Sequence, residues 1–360
     1  MQNIHLHNLR PGMIVGRNIL GVDGTLLLAA GVQLTSHYIK KLHQLGIPSV
    51  YIWDERTLDV DIRSPVQDHT RLQTARLMKK ILKNINSKIG PKDNLNLDEY
   101  IPQIKEAVEN ILQDISTSGK LVMDFLELKN AHDYTFLHSV NVCILAIMMG
   151  KQAGLKLATI RELGIGTLLH DVGKALVPGN ILTKPKPLTP EEYQQMKKHT
   201  TLGYELLCRT KEITPASAQI SLEHHERVDG RGYPYSLRDQ QISFLGRLSA
   251  ICDVYDALIS DRVYRKRYLP HQAAKFITSG SGTHFDQQLV KIFTKCIAMY
   301  PLGSVVHLNN GQLGVVVEVK PEQTTRPIIR IFKDQEGRTL SQPIDIDLTH
   351  HPQIEINYML

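Results

Sequence analysis

The spacing of apolar residues predicts a mainly α-helical chain with short β segments near both ends. Residues 11–34 are predicted to form short strands around a glycine-containing turn, and residues 49–53 another strand. Between them, Thr35 or Ser36 caps a helix whose apolar face is ended by Gly46. Residues 1–60 are therefore predicted to form a small α+β module, which is small for a domain that folds alone.

The next segment, residues 61–118, is predicted to be a helical connector. Apolar residues recur at every third or fourth position over 67–115, and Gly90-Pro91 interrupts the run. Such a helical hairpin could transmit a signal or form the seam of a homodimer. An ordinary pair of packed helices is the simpler alternative, and the pattern does not choose between them.

Helical periodicity also dominates residues 119–300, where loops are predicted at 178–190 and 228–234. The pattern then changes to apolar runs separated by glycine-containing turns. It predicts a small β module over 301–360, with strands at 304–308, 314–319 and 327–332. The chain contains no sequence repeat.

The composition is that of an ordinary globular protein, and it excludes few classes of binding partner. Of 360 residues, 42% are hydrophobic and 22% charged, and no apolar run is long enough to cross a bilayer. We therefore predict a cytoplasmic protein without a membrane span. Four scattered cysteines form no Cys-x-x-Cys pair and predict buried thiols. A net charge of +6 suits an anionic ligand or a solvated surface, and no long basic tract of the kind that binds a nucleic-acid polymer is present.

Candidate chemistry is concentrated in the segment Leu168-Leu-His-Asp-Val-Gly-Lys174. His170 and Asp171 are adjacent and follow an apolar run, so that each side chain could face a different metal ion. A buried carboxylate beside an imidazole must be paired or coordinated to offset its desolvation. Lys174 lies one helical turn after His170, where its ammonium group could hold a phosphoryl oxygen. The alternatives are an internal His–Asp hydrogen bond and an exposed lysine near a helix end.

Further nitrogen and oxygen ligands recur along the chain at intervals of about one helical hairpin. They are His138, His199, the adjacent pair His224-His225, and Asp253. Taken singly, His138 would more often be a hydrogen-bonded core residue, and His199 beside two lysines would more often lie on the surface. Asp256 shares a helix face with Asp253 and could orient it. Together these residues predict a metal centre inside a helical bundle.

Two features near these ligands suit a phosphodiester substrate. The loop Gly232-Tyr233-Pro234 follows the histidine pair closely and is predicted to be rigid. Arg262 and Arg265 follow Asp253, and a pair of guanidinium groups could hold a phosphate. A common glycine-proline turn and a solvated basic helix end are the alternatives.

Together these motifs resemble the signature of the HD-GYP family, a branch of the HD metal-dependent phosphohydrolases. The resemblance covers about residues 119–300, with the motifs in matching order and spacing. It implies an all-helical bundle that holds two divalent ions, iron or manganese, and hydrolyses the bacterial second messenger cyclic di-GMP. It also implies the metal ligands, with Asp171 bridging the ions: His138, His170, Asp171, His199, His224, His225 and Asp253.

The resemblance extends to substrate contacts and to the number of ions. Lys174 would contact the scissile phosphate, and Arg262 and Arg265 would contact the dinucleotide near the Gly232-Tyr233-Pro234 loop. Some relatives carry a glutamate four residues before the first histidine, associated with a third metal. This chain has Tyr134 there, beside Asp133, so two metals are predicted. Independently, nitrogen and oxygen ligands without a thiolate favour iron, manganese, cobalt or nickel over structural zinc.

The predicted mechanism is hydrolysis by water without a protein nucleophile. Two ions about 3.5–4 Å apart would lower the pKa of a bridging water and provide a hydroxide that opens the ring. The first product would be linear pGpG, with a slower second cut to GMP. One alternative is a non-catalytic cyclic-dinucleotide sensor that signals to a protein partner through the connector or the Tyr233 loop. Another is a hydrolase of a different cyclic nucleotide such as cyclic GMP-AMP, because no residue identifies a guanine base.

Overall fold

The computed structural model describes residues 1–21, 25–47, 49–62, 64–87, 95–119, 122–123, 134–260 and 267–359. The chain divides into two compact units. The first contains both chain ends, Met1–Ser64 and Ile297–Leu360, with Val122–His132; the second contains Pro65–Leu121 and Asp133–Cys296. The predicted mainly α fold with a small C-terminal β module is confirmed.

The first unit begins with a small α+β arrangement. Its elements are β1 (Gln2–His5), β2 (Ile19–Leu20), β3 (Leu26–Leu28), α1 (Ser36–Gln44) and β4 (Ser49–Ile52). β1 pairs with β4 and β2 with β3, both antiparallel. Thr35 caps α1 by accepting a hydrogen bond from the Tyr38 N–H at 3.2 Å. Gly46 follows the helix with a φ of 68°, which glycine adopts without steric strain, so the predicted cap and stop both form.

The same unit ends in a five-stranded antiparallel sheet of order β8-β7-β6-β5-β9. Its strands are β5 (Val305–Leu308), β6 (Leu313–Glu318), β7 (Ile328–Lys333), β8 (Thr339–Asp347) and β9 (Ile356–Met359). The apolar pattern predicts the first three strands but not β8 and β9. β8 exposes most of its side chains, so its sequence lacks the apolar alternation of a half-buried strand.

Contacts of Arg330 join the two ends of the chain within the first unit. Its guanidinium group donates to Asp59 at 2.6 Å and to Asp345 at 2.7 Å. The carbonyl oxygen of Gly303 also accepts a hydrogen bond from the Asn3 N–H at 2.8 Å. The modules predicted at the two chain ends therefore lie in one compact unit.

The second unit is an all-helical bundle that includes the predicted connector. Its helices are α2 (Asp68–Ser87), α3 (Ile101–Ser118), α4 (Tyr134–Gln152), α5 (Leu157–Leu169), α6 (Gly179–Leu182), α7 (Pro190–Lys197), α8 (His199–Arg209), α9 (Pro215–Glu223), α10 (Phe244–Ile259), α11 (Pro270–Ser279) and α12 (Gln287–Cys296). α4 is the central helix, because residues 142–149 are apolar and buried on every side, and it packs against α2, α3, α5, α10 and α12. None of the helices described is both long and apolar enough to cross a membrane.

Candidate metal centre

The His170-Asp171 pair directly follows α5 and lies in the interior of the bundle. α5 ends at Leu169, His170 keeps helical backbone angles, and Asp171 precedes a short 3-10 helix, Val172–Leu176. His170 is 1% exposed and Asp171 2% exposed. Because neither side chain reaches water, both require polar partners or a bound ion.

The other predicted ligands come from four further helices of the same unit. His138 lies on α4, His199 begins α8, the pair His224-His225 directly follows α9, and Asp253 lies on α10. His138, His199 and His224 are almost fully buried, while the His225 side chain is 23% exposed. Residues separated by more than a hundred positions thus meet around the carboxylate of Asp171.

Asp171 divides the imidazoles into two groups. Its Oδ2 lies 3.7 Å from Nε2 of His138 and 3.4 Å from Nε2 of His170. Its Oδ1 lies 3.4 Å from Nε2 of His199 and 3.7 Å from Nε2 of His224. Each carboxylate oxygen therefore faces its own pair of ring nitrogens, an arrangement suited to a ligand shared by two ions.

The two aspartates of α10 have different partners. Asp253 Oδ1 lies 3.0 Å from Nε2 of His138, and its Oδ2 lies 3.5 Å from Nδ1 of His225, so Asp253 also contacts both groups. Asp256 was predicted to orient Asp253, but its Oδ2 lies 2.8 Å from Nδ1 of His138. Asp256 therefore supports the histidine on α4, because that ring presents its second nitrogen to this carboxylate.

Backbone carbonyl groups orient three of the histidines. The Nδ1 atoms of His170, His199 and His224 lie 2.7, 2.8 and 3.1 Å from carbonyl oxygens three or four residues earlier in the chain. A carbonyl oxygen only accepts hydrogen bonds, so each Nδ1 carries the hydrogen. Each Nε2 consequently presents its lone pair to the centre, as in histidines that bind metals.

The donor atoms of the centre fit divalent metal ions. In the described part of the chain, Nε2 of His170 and Oδ1 of Asp171 are buried without a hydrogen-bond partner. Two sets of residues each bring their ligand atoms within 4.8 Å of one another, and both sets contain Asp171. The sets are His138, His170 and Asp171, and Asp171, His199, His224 and His225. Nitrogen and oxygen donors without a thiolate suit ions of intermediate hardness.

The pKa values of these groups follow from burial and from neighbouring charges. Burial lowers the pKa of His199 to about 4 and that of His225 to about 3, so both imidazoles are neutral at neutral pH. Burial also acts to lower the pKa of His138, but hydrogen bonds to neighbouring carboxylates raise it to about 9. Burial acts to raise the pKa of Asp171, but the Lys174 ammonium group together with the His170 and His199 imidazoles holds this pKa well below its usual range.

A cleft of about 640 Å³ opens over the centre. Its lining combines candidate ligands with basic side chains: Lys174, Lys184, Lys186, Arg227 and Arg231. The ammonium group of Lys174 lies 2.5 Å from Oδ2 of Asp171. Tyr233 also lines the cleft, with its ring centroid 4.7 Å from that of His225. A cleft with this excess of positive charge favours an anionic ligand.

Glu226 is a site residue that the sequence analysis did not single out. It is 2% exposed, and its carboxylate accepts hydrogen bonds from the N–H groups of Tyr235 at 2.7 Å and Leu237 at 3.0 Å. These bonds hold the loop that contains Gly232 against the centre. A Cβ atom on Gly232 would lie 2.4 Å from the Cα of Glu226, so the close approach requires glycine. The sequence feature that could have identified Glu226 is its position directly after the histidine pair and before the glycine-rich loop.

Some predicted residues lie outside the described part of the chain. Arg262 and Arg265 are among them, so their contacts with a dinucleotide stay predictions. Asp133 also lies outside the described residues, and the expectation of two metals rather than three stays a prediction.

Gly173 allows the His-Asp turn to lie against α8. A Cβ atom here would be 2.0 Å from the carbonyl oxygen of His199 and 2.5 Å from the backbone nitrogen of Gly203. Backbone atoms cannot rotate away, so Gly173→Ala is expected to lower the free energy of unfolding by at least about 3 kcal/mol, the upper end for overpacking. Urea unfolding of the metal-free protein measures this loss. Gly179→Ala is the control, because nothing lies within 4 Å of its added Cβ, and equal stability of the two variants would contradict the prediction.

Comparison with known proteins agrees with this geometry. Residues 120–289 match the family model of the HD domain, and this range contains both histidine motifs and Asp253. Residues 120–289 of the chain are therefore an HD domain. The resemblance predicted from the sequence is thereby confirmed. Residues 305–360 match the model of a KOW domain associated with the HD domain, and they contain the five-stranded sheet.

Two relatives and one solved structure illustrate the similarity. Cyclic di-GMP phosphodiesterase PA4108 of Pseudomonas aeruginosa is 37% identical over 227 residues, which are 63% of this chain and 55% of that protein. The 3'3'-cGAMP-specific phosphodiesterase 2 of Vibrio cholerae is 33% identical over 205 residues, which are 56% of this chain and 39% of that protein. Bd1817, an HDG"Y"P protein from Bdellovibrio bacteriovorus, superposes with a TM-score of 0.48 at 20% identity, covering 81% of this chain and 97% of that one. The chain therefore spans about half or less of the length of these two relatives.

Proposed function

We propose that this chain is an HD-GYP protein and a metal-dependent phosphodiesterase that hydrolyses cyclic di-GMP to linear pGpG, with a slower second cut to GMP. The observation that carries the proposal is the position of Asp171 between two groups of imidazoles, beneath a basic cleft. The name of the Pseudomonas relative supports the choice of substrate. A doubly charged cyclic dinucleotide suits a cleft with these basic side chains.

The proposed metal ligands supply only nitrogen and oxygen atoms: His138, His170, Asp171, His199, His224, His225 and Asp253. In this proposal they hold two divalent ions, iron or manganese, because imidazole and carboxylate donors suit these metals. When bound, such ions supply Lewis-acid activation of water and neutralise charge on the phosphoryl oxygens.

The side chains around these ligands bind and orient the substrate. Lys174, 25% exposed, places an ammonium group at the junction of centre and cleft, where it would offset negative charge growing on the scissile phosphate. Tyr233 offers an aromatic ring beside His225, and the backbone bonds to Glu226 hold its loop in place. Arg231 on the same loop would bind the second phosphate, which leaves Lys174 for the one being cleaved.

A second candidate substrate is 3'3'-cGAMP. The name of the Vibrio relative favours it. The ring-opening chemistry would be identical, since both substrates contain the same phosphodiester linkages.

Product chromatography tests both candidates. The purified protein, loaded anaerobically with Fe(II) or Mn(II), is incubated separately with cyclic di-GMP, 3'3'-cGAMP and cyclic di-AMP. We expect pGpG from cyclic di-GMP with the highest kcat/KM of the three. A higher kcat/KM for 3'3'-cGAMP would favour the second candidate. Bound metal and bound cyclic di-GMP without any linear product would instead indicate a sensor that signals to a partner through the Tyr233 loop.

A further inference from the structure

Arg71 is a buried arginine that no motif of the sequence explains. It lies on α2 and is only 1% exposed, although arginine is almost never fully buried without a partner. Its position is outside residues 120–289, the range matched by the HD domain. The side chain nevertheless belongs to the same compact unit as the metal centre.

A chain of buried hydrogen bonds leads from Arg71 to the centre. Its Nη2 donates to Oδ1 of Asn141 at 2.9 Å, and Nδ2 of Asn141 donates to Oδ1 of Asp256 at 2.9 Å. The other oxygen of Asp256 lies 2.8 Å from Nδ1 of His138. Nε2 of His138 in turn faces the centre, 3.7 Å from Oδ2 of Asp171. All five side chains are at most 2% exposed, so water does not compete for these bonds.

The chemistry of Arg71 determines the direction of every bond in this chain. A guanidinium group can only donate, so the amide oxygen of Asn141 must face Arg71. The amide nitrogen must then face Asp256 and donate to it. An ionised carboxylate can only accept, so Nδ1 of His138 carries a hydrogen, and Nε2 is the nitrogen available to a metal ion. Reversing the amide would place its nitrogen against the guanidinium and its oxygen against the carboxylate.

We infer that Arg71 is a positioning residue of the metal centre, which acts through Asn141 and Asp256 to hold the His138 imidazole in its metal-binding orientation. The inference rests on the proposed metal centre but not on the identity of the cyclic dinucleotide. It concerns the ion held by the group of His138, His170 and Asp171. The imidazoles of His199, His224 and His225 receive no bond from Arg71, Asn141 or Asp256 within the described structure, so the ion of that group should depend less on Arg71.

Three substitutions of Arg71 separate the effect of donor chemistry from simple packing. Lysine only donates, glutamine can donate or accept, and methionine cannot donate. Metal-free protein is titrated with Mn(II), and free Mn(II) is read by electron paramagnetic resonance to obtain the affinity of each site. We expect Arg71→Met to weaken one of the two sites about tenfold, the lower end for residues that support a metal ligand. Arg71→Lys should stay within about twofold of wild type, with Arg71→Gln between them.

Thr74→Val is the matched control. Thr74 lies on the same helix, is 2% exposed, and donates to the carbonyl oxygen of Thr70 at 2.8 Å without touching the chain of bonds. We expect both Mn(II) affinities to be unchanged in this variant. If Arg71→Met does not fold, the difference between Arg71→Lys and Arg71→Gln still decides, because lysine can only donate to Asn141, whereas glutamine can also accept from it and so permits the reversed amide.

Several results would overturn the inference. They are unchanged Mn(II) affinities in Arg71→Met, equal weakening of both sites, or indistinguishable lysine and glutamine variants. Absence of Mn(II) binding by the wild-type chain would overturn the proposed centre as well. A chain that shows the expected Mn(II) pattern but does not cleave cyclic di-GMP would retain this inference and lose the proposed substrate.

Discussion

Replacing His170 and Asp171 together with alanine is expected to abolish both metal binding and hydrolysis of cyclic di-GMP. The double variant lacks one imidazole of the first group and the carboxylate that both groups share. Charge stabilisation by bound ions is worth several kcal/mol, and each 1.36 kcal/mol corresponds to a tenfold change in rate, so kcat/KM should fall at least about 1,000-fold. Metal analysis and product chromatography on the same preparation measure the two losses.

The helical bundle of this double variant should remain folded. Removing Asp171 also removes the cost of burying a carboxylate, and Lys174 is partly exposed and can reach water once its partner is gone. Circular dichroism checks the helical content. His350→Ala with His351→Ala is a matched control, because both side chains are exposed and lie in the other compact unit. Unchanged hydrolysis by the His170 and Asp171 variant would refute the metal mechanism.

Lys174→Met is expected to lower kcat about 100-fold while both metal ions stay bound. The ammonium group lies 2.5 Å from Oδ2 of Asp171 and lines the cleft, so it can stabilise charge on the scissile phosphate. Losing one such preorganised donor typically costs a factor on the order of 100 to 1,000 in kcat. Methionine preserves most of the side-chain volume, so the change isolates the charge. Steady-state kinetics at saturating metal measure it.

Two further variants define the origin of this effect. Lys151→Met also removes a lysine from the second unit, but Lys151 contacts Ser116 at 3.1 Å and does not line the cleft, so its kcat should be unchanged. Lys174→Arg retains the charge and should recover part of the lost rate. An unchanged kcat in Lys174→Met would remove this residue from the mechanism. A loss of bound metal would show that Lys174 supports the centre rather than the substrate.

The secondary structure was predictable where one face of an element is buried. The helix after Thr35 shows regular apolar spacing, and the strand at 328–333 is a mostly apolar run, because these elements pack against a core. β8 is exposed along most of its length, so its sequence carries no such period. The apolar spacing of the connector predicted helices, but this spacing does not specify which other helices they pack against.

Local order in the sequence also indicates candidate ligands but not their supporting contacts. His170-Asp171 and His224-His225 stand out because two ligands are adjacent in each pair. Glu226 and Arg71 carry no comparable signal. Glu226 matters because it accepts hydrogen bonds from a loop nine to eleven residues later. Arg71 matters because it donates a hydrogen bond to Asn141, 70 residues away.

The sequence by itself determined the fold class, the resemblance to the HD-GYP family and the set of candidate ligands, because periodicity and residue chemistry are local properties of the chain. Only the tertiary structure decided how these candidate ligands divide between the two oxygens of Asp171, and that Asp256 contacts His138. It also decided that Arg71 is linked to the centre and that the two chain ends share one unit. These features arise from contacts between distant residues, which form only when burial of the apolar faces brings the helices together.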